Sequence, residues 1–189
     1  GMLTNLNGVF ELDDFAWIAS AQEDVHIVFS RSETGIESVG ELLEKAGNGS
    51  EKVSVGGFGP EGSTQHIAIS MLENEADVEF EWIAYNGTPD IIAAVMGGHV
   101  DVGISNLSAL KSFFDADRIQ GVGVIAEERL EGLPDVPTFA EQGVDIDTGW
   151  VQVRGVFGPA GIPMETQRQI ADAFHEAMRS EHYQEYARN

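Results

Sequence analysis

Strand-like and helix-like stretches alternate through the first two-thirds of this 189-residue sequence, which predicts an α/β fold with a parallel-rich sheet flanked by helices. Three observations carry that expectation. Short apolar runs are separated by amphipathic stretches, Gly, Ser/Thr or Pro punctuates the junctions, and apolar residues at 42% suffice for a core. The chain is long enough for one large domain or two small lobes.

Taken in order, Ala16–Ser20 and His26–Phe29 read as strands. Glu37–Ala46 carries Val39, Leu42, Leu43 and Ala46 at helical spacing and stops at Gly47. Val53–Gly56 is a strand running into a glycine-rich loop, after which Ser63 or Thr64 caps a helix bearing Ile67, Met71 and Leu72. Glu81–Tyr85 is a strand. Thr88 as N-cap with Pro89 at the first helical position opens a helix with Ile91, Ile92, Val95 and Met96, closed by Gly97-Gly98. Asp101–Ser105 reads as a strand, Leu107–Phe114 as a helix and Gln120–Ala126 as a strand, so the run is a series of βαβ units. Beyond Ala126 the texture changes. Leu133-Pro134-Asp135-Val136-Pro137 is a rigid loop, Trp150–Gly158 a long strand and Pro159–Pro163 a turn. Met164–Met178 forms an amphipathic helix through Gln167, Ile170, Phe174 and Met178, and a short helix surrounds Tyr183 and Tyr186. Gly1 before Met2 reads as a cleavage scar and is left out of the fold.

Charge excludes several function classes. Ten Lys+Arg against 32 Asp+Glu give a net −22 and a pI near 4.2, so no basic stripe exists for nucleic acid or for an anionic membrane surface. No window approaches the roughly 18 apolar residues of a membrane span, and no signal peptide is legible. Cysteine is absent, which removes disulfides and thiolate chemistry. The carboxylates are spread from Glu11 to Glu185, not gathered in a tail. Such a surface suits high salt, where the Debye length falls to about 3 Å at about 1 M; a merely acidic surface is the alternative.

The sharpest local feature is the loop Gly56-Gly57-Phe58-Gly59-Pro60-Glu61-Gly62 between a strand and a capped helix. Free backbone N–H groups beside a helix N-terminus make an anion site; a tight strand-to-helix turn is the other reading. It is neither a P-loop nor a dinucleotide fingerprint, since no Gly-Lys-Ser/Thr follows and the glycine spacing differs. His66 reads as a core or capping histidine and His99 as exposed. Asp13-Asp14, Glu23-Asp24 and Glu127-Glu128 read as solvated carboxylates. No metal spacing, cofactor motif or nucleophile elbow occurs, so the residues assemble no catalytic set and imply no cofactor. The enzyme alternative, a hydrolase or isomerase, would use His66 with a neighbouring carboxylate as base.

Five blocks in order resemble the substrate-binding receptors of tripartite tricarboxylate transporters, the TctC/Bug type. They are Gly56 through Ile67, Tyr85-Asn86-Gly87-Thr88-Pro89, Gly97-Gly98-His99-Val100-Asp101-Val102-Gly103-Ile104-Ser105-Asn106, Leu133-Pro134-Asp135-Val136-Pro137-Thr138-Phe139-Ala140-Glu141-Gln142-Gly143, and Arg154-Gly155-Val156-Phe157-Gly158-Pro159-Ala160-Gly161. The resemblance implies a type II periplasmic-binding-protein fold, with a carboxylate held in the cleft between two α/β lobes. It implies that residues 2–28 are a remnant of the first lobe and hinge, 29–150 the second lobe, and 151–189 a return strand and helices of the first. Family members run longer at both ends, so an apolar first-lobe surface is expected to be exposed and to favour a homodimer. The loop would grip the carboxylate through backbone N–H groups, those of Gly59 and Gly62 among them, and through the hydroxyls of Ser63 and Thr64. Tyr85, Ser105 and Asn106 would line the cleft. Asn86 stands where the family commonly has lysine, and Glu61 puts a negative charge in the loop. Implied partners are a small carboxylate and the membrane subunits of a transporter, in an extracytoplasmic location. The alternative is a ligand-sensing or partner-binding module on the same fold, without transport.

Overall fold

In the computed structural model, which describes residues 11–33, 35–48, 52–150 and 152–188, the chain builds two separate sheets. Residues 1–10, expected within a first-lobe remnant, and Val151, expected in a strand, lie outside the described residues. A two-stranded sheet pairs β1 (Phe15–Asp24) with β7 (Gln152–Pro159). The second sheet has five strands: β2 (His26–Arg31), β3 (Val53–Phe58), β4 (Phe80–Tyr85), β5 (Val102–Ser105) and β6 (Ile119–Ile125), in the order β4-β3-β5-β2-β6. The chain divides into two compact units, Asp24–Gln152 and the two segments on either side of it. Strand β2 therefore belongs whole to the larger unit, whereas the boundary read from the sequence at 28/29 runs through it.

Each helix follows its strand as the pattern requires. These are α1 (Val39–Asn48), α2 (Thr64–Ala76), α3 (Thr88–Met96), α4 (Leu107–Phe114), α5 (Met164–Arg179) and α6 (Glu181–Arg188). Strand β3 is parallel to β4 and β5, but β2 runs antiparallel to both β5 and β6. The sheet is mixed, with four strands in one direction and one reversed. Helical crossovers make β3, β4, β5 and β6 parallel. The segment through α1 instead joins β2 to a strand that is not its neighbour. Hydrophobic period specifies which face of a strand is apolar, not which way it runs.

The five-stranded sheet is buried on both faces. Val28, Val55, Val102 and Ile104 pack with Val39 and Leu42 of α1 and with Ala68, Ile69 and Leu72 of α2. Ile27 and Phe29, on the other face of the same strand, pack with Ile91 and Val95 of α3 and Leu110 of α4. Full burial of such side chains contributes about 1.5–3 kcal/mol each. Two glycines are set by this packing: a Cβ on Gly103 would stand 2.5 Å from the Phe29 ring, and one on Gly57 would overlap the Trp82 indole.

The block Leu133–Gly143 closes the larger unit. Phe139 is buried under β6, and a short 3-10 helix spans Ala140–Gln142. The Gln142 side chain accepts from the Val39 N–H at 2.9 Å and donates to the Val122 carbonyl at 3.0 Å, which stitches α1 to β6. A hydrogen bond from Arg129, helped by the Thr138 N–H, holds the Glu141 carboxyl below its usual range.

The smaller unit is thinner. Among its described residues Ala19 is the one buried apolar side chain, while Trp17, Val153, Phe157 and Met164 are exposed. Phe157 packs edge-on to Phe15 with centroids 5.2 Å apart and stacks on Trp17 at 6.4 Å. Ile170, Phe174 and Met178 of α5 are half-buried, on the stripe that the spacing predicts.

Candidate functional site

Because β3, β4 and β5 are parallel, their last residues Phe58, Tyr85 and Ser105 fall at one edge of the sheet. Each strand is followed at once by a helix, so the N-termini of α2, α3 and α4 gather at that edge. A helix N-terminus carries a partial charge near +0.5 e and unsatisfied N–H groups, and the carboxyl ends of parallel strands are where α/β sheets bind ligands. All seven residues singled out from the sequence lie at this edge: Tyr85 and Ser105 end their strands, and Gly59, Gly62, Ser63, Thr64 and Asn106 lie in the loops or helix starts.

The loop after β3 is locked from within. Its Gly59 N–H donates to the Tyr85 carbonyl at 3.1 Å, and the Trp82 indole N–H donates to the Gly59 carbonyl at 3.2 Å. The Gly62 N–H donates to His66 Nδ1 at 3.2 Å, the Ser63 N–H to the Pro60 carbonyl at 3.0 Å, and the Phe58 N–H to Gln65 Oε1 at 2.7 Å. The expectation that Gly59 and Gly62 offer their N–H groups to a ligand is therefore corrected, because both N–H groups are engaged inside the loop. Their role is conformational: φ is +85° at Gly59 and +82° at Gly62, a region that side chains with a Cβ enter only with strain. Ser63 caps α2, its hydroxyl accepting from the His66 N–H. The N–H groups of Thr64 and Gln65 are first-turn donors of α2 without an intrahelical acceptor, and the Thr64 side chain is half-buried.

At the start of α3 the structure departs from the sequence reading. Gly87, not Thr88, is the N-cap, and no side chain caps the helix. Thr88 is free to turn its hydroxyl to that of buried Ser105, 3.0 Å away. One hydroxyl of such a pair donates to the other, which leaves one O–H to donate elsewhere. Asn106 caps α4, its Oδ1 accepting from the Ala109 N–H at 3.2 Å and from the Ser108 hydroxyl at 2.9 Å. Tyr85 is half-buried, and its ring packs over Gly56.

His66 performs the capping role expected of it, with Nδ1 accepting from Gly62 and the ring edge-on to Trp82 at 5.2 Å. That Nδ1 is not disposed to act as a base while it holds the loop. His99 is exposed. Asp24, read as solvated, is buried. Sequence reasoning missed three residues at this edge: Trp150, whose indole N–H donates to the Thr64 carbonyl at 3.1 Å, Thr88, and His26, buried at the start of β2. Their signals are long-range pairings that no local period carries. No helix among the described residues is long and apolar enough to cross a membrane.

Comparison with known proteins agrees with this geometry. The family described as tripartite tricarboxylate transporter family receptor matches residues 2–189. A UPF0065 protein from the tcbD-tcbE intergenic region of Pseudomonas sp. (strain P51) is 26% identical over 169 residues, covering 87% of this chain and 49% of that protein. The crystal structure of a TctC solute binding protein from Polaromonas superposes with a TM-score of 0.79 at 24% identity, over 94% of this chain and 61% of that one. R. palustris Rpa4515 with adipate gives 0.75 at 23% identity, over 90% and 56%. The chain spans about half the length of the curated relatives it matches.

Proposed function

We propose a function from one premise: the chain belongs to the tripartite tricarboxylate transporter receptor family. It is a solute-receptor segment that captures a small carboxylate for a tripartite tricarboxylate-type transporter and hands it to the membrane subunits, in an extracytoplasmic location. The task is capture and release, not bond making. One observation carries the reading, the gathering of three helix N-termini at the carboxyl edge of parallel strands. The Thr64 and Gln65 N–H groups and the hydroxyls of Ser63 and Thr64 would hold one carboxylate. The Thr88–Ser105 hydroxyl pair, Asn106 and Tyr85 would line the place, with Gly59 and Gly62 shaping the loop. A solved relative carrying adipate supports a dicarboxylate among the candidates.

These donors would be one half of the grip that a cleft between two lobes provides. A charge-assisted hydrogen bond contributes about 1.5–3 kcal/mol, so the loss of two weakens a micromolar ligand by about 4 kcal/mol, towards millimolar. Adipate, citrate and benzoate should therefore bind weakly, shifting the amide resonances of Thr64, Gln65, Ser105 and Asn106 in an NMR titration. Glu61→Gln should tighten that binding by removing a like charge from the loop. Tight micromolar binding, or shifts at other residues only, would overturn the half-grip. Two further features belong to the same reading. The dispersed −22 charge suits a protein working in high salt, and exposed Trp17, Val153 and Phe157 favour self-association through that face.

A further inference from the structure

His26 is the titratable group at this edge that the function above leaves unused. Its side chain is 4% exposed, and neither ring nitrogen has a hydrogen-bond partner among the described residues. Since β2 runs against its neighbours, its first residue lies at the edge where β5 and β6 end. Ile27 pairs with Ser105, so His26 stands level with Asn106, the cap of α4. Alternation along β2 turns the imidazole to the face of Val28, the face covered by α2. There the ring meets the backbone of Thr64, the first residue of α2. The Thr64 carbonyl accepts the Trp150 indole N–H and is not in hydrogen-bonding geometry with the ring.

The charges around the ring are few. Asp24, two residues back at the end of β1, acts on it, whereas α2 presents Thr64, β6 presents Ile125 opposite, β5 leads to Asn106, and the segment before β7 presents Trp150. Burial dominates and holds the imidazole below its ordinary pKa, against the smaller pulls of the Thr64 carbonyl and the Asp24 carboxylate. Burial thus favours the neutral ring, with neither nitrogen hydrogen-bonded, a costly arrangement for a buried polar group unless something else arrives to use it.

We propose that His26 is a ligand-linked proton site: a carboxylate held at the start of α2 draws one proton from solvent onto the imidazole, and the imidazolium then holds the carboxylate. This inference rests on the carboxylate reading above and adds a second recognition element to it. An anion within about 4–6 Å favours the charged ring, and in a dry site the attraction is weakly screened. Binding takes up a proton, so affinity rises as pH falls through the interval between the ring's two pKa values, by about tenfold per pH unit. Asn106 and the Thr64 N–H would set the anion's position, and His26 its charge requirement.

The test follows the His26 ring resonances by NMR against pH, in the whole chain, without adipate and with adipate at millimolar concentration. The expected result is a titration midpoint that moves up with adipate, together with adipate affinity that is about tenfold higher near pH 6 than near pH 8. His26→Leu should bind adipate at both pH values about as weakly as the parent does near pH 8, and His26→Gln should behave likewise. A midpoint unmoved while the Thr64 and Gln65 amides respond to adipate overturns the proton linkage and leaves the carboxylate site standing. Absence of any response at those amides overturns the site, and the linkage with it.

Discussion

Residues 24–152 bury apolar side chains on both faces of a five-stranded sheet, whereas the flanking segments lay two strands and two helices together with Ala19 as the one buried apolar side chain among their described residues. Among the described residues the larger unit exposes Phe58 alone of its large hydrophobics; the smaller exposes Trp17, Val153, Phe157 and Met164. Both are written with the same alternation of apolar and polar residues. What differs is whether the apolar stripe finds a second layer. A stripe without one leaves apolar surface open to association. Stability and the candidate site both reside in the larger unit.

The largest effect expected from that contrast comes from matched aromatic truncations. Phe139→Ala, at a side chain 1% exposed in the larger unit, should cost about 3–5 kcal/mol and lower the urea midpoint sharply. Phe157→Ala, at 54% exposure in the smaller unit, should change stability by no more than about 0.5 kcal/mol and instead reduce self-association in sedimentation velocity. Equal costs at the two positions would show that the smaller unit has a core of its own, and would break the contrast.

Salt should separate the units next. Of the 32 acidic side chains 23 lie in residues 24–152, with 6 of the 10 basic ones, so the self-repulsion is concentrated where the core is. Screening should therefore stabilise the cooperative transition of the larger unit. A melt in about 2 M KCl is expected to exceed one in about 0.05 M by about 5 °C or more. A midpoint indifferent to salt removes the high-salt reading of the surface.

How much of this was legible in the sequence follows the range of the signal. Element identity was legible because it is local. Leu107–Phe114 is a helix as read, and Asn106, Ser63 and Gly97 punctuate as their chemistry demands. The glycine loop was legible as an anion site from its glycines beside a helix N-terminus, whereas Tyr85 and Ser105 were reached through family resemblance alone. What was not legible depends on partners distant in sequence. Thr88 gives up the capping role because Ser105 lies opposite, and Gly59 withholds its N–H because the Tyr85 carbonyl takes it. Strand β2 is reversed, which brings His26 to the edge, and Asp24 is buried beside it in sequence although its pair with Glu23 reads as solvated. None of these has a period.

The smallest expected effect concerns acid. Among the described residues every carboxylate with a lowered pKa (Glu41, Glu79, Asp101 and Glu141) lies in the larger unit, so acid should loosen that unit by protonating groups the native fold holds charged. Asp101 is the best placed to show it. Burial works to raise its pKa, but the Lys45 ammonium at 2.5 Å outweighs it together with the Ser54 N–H at 2.9 Å and hydroxyl at 2.7 Å, and the net shift is downward. A carboxylate depressed in the folded state stabilises the fold above its unfolded pKa, and that contribution is lost as pH falls through the folded value. The window thus opens near the ordinary aspartate value of about 4 and extends below it. Asp101→Asn should be less stable than the parent at neutral pH, because Lys45 loses its counter-charge and the tie between α1, β3 and β5 is weakened. The gap should narrow as pH drops through that window, since the parent then loses the same charge, while the common slope from Glu41, Glu79 and Glu141 cancels in the difference. Urea denaturation of both chains across the window measures the gap directly. A gap of constant size down to the lowest pH at which both chains fold would assign the loss to hydrogen-bond geometry and not to charge.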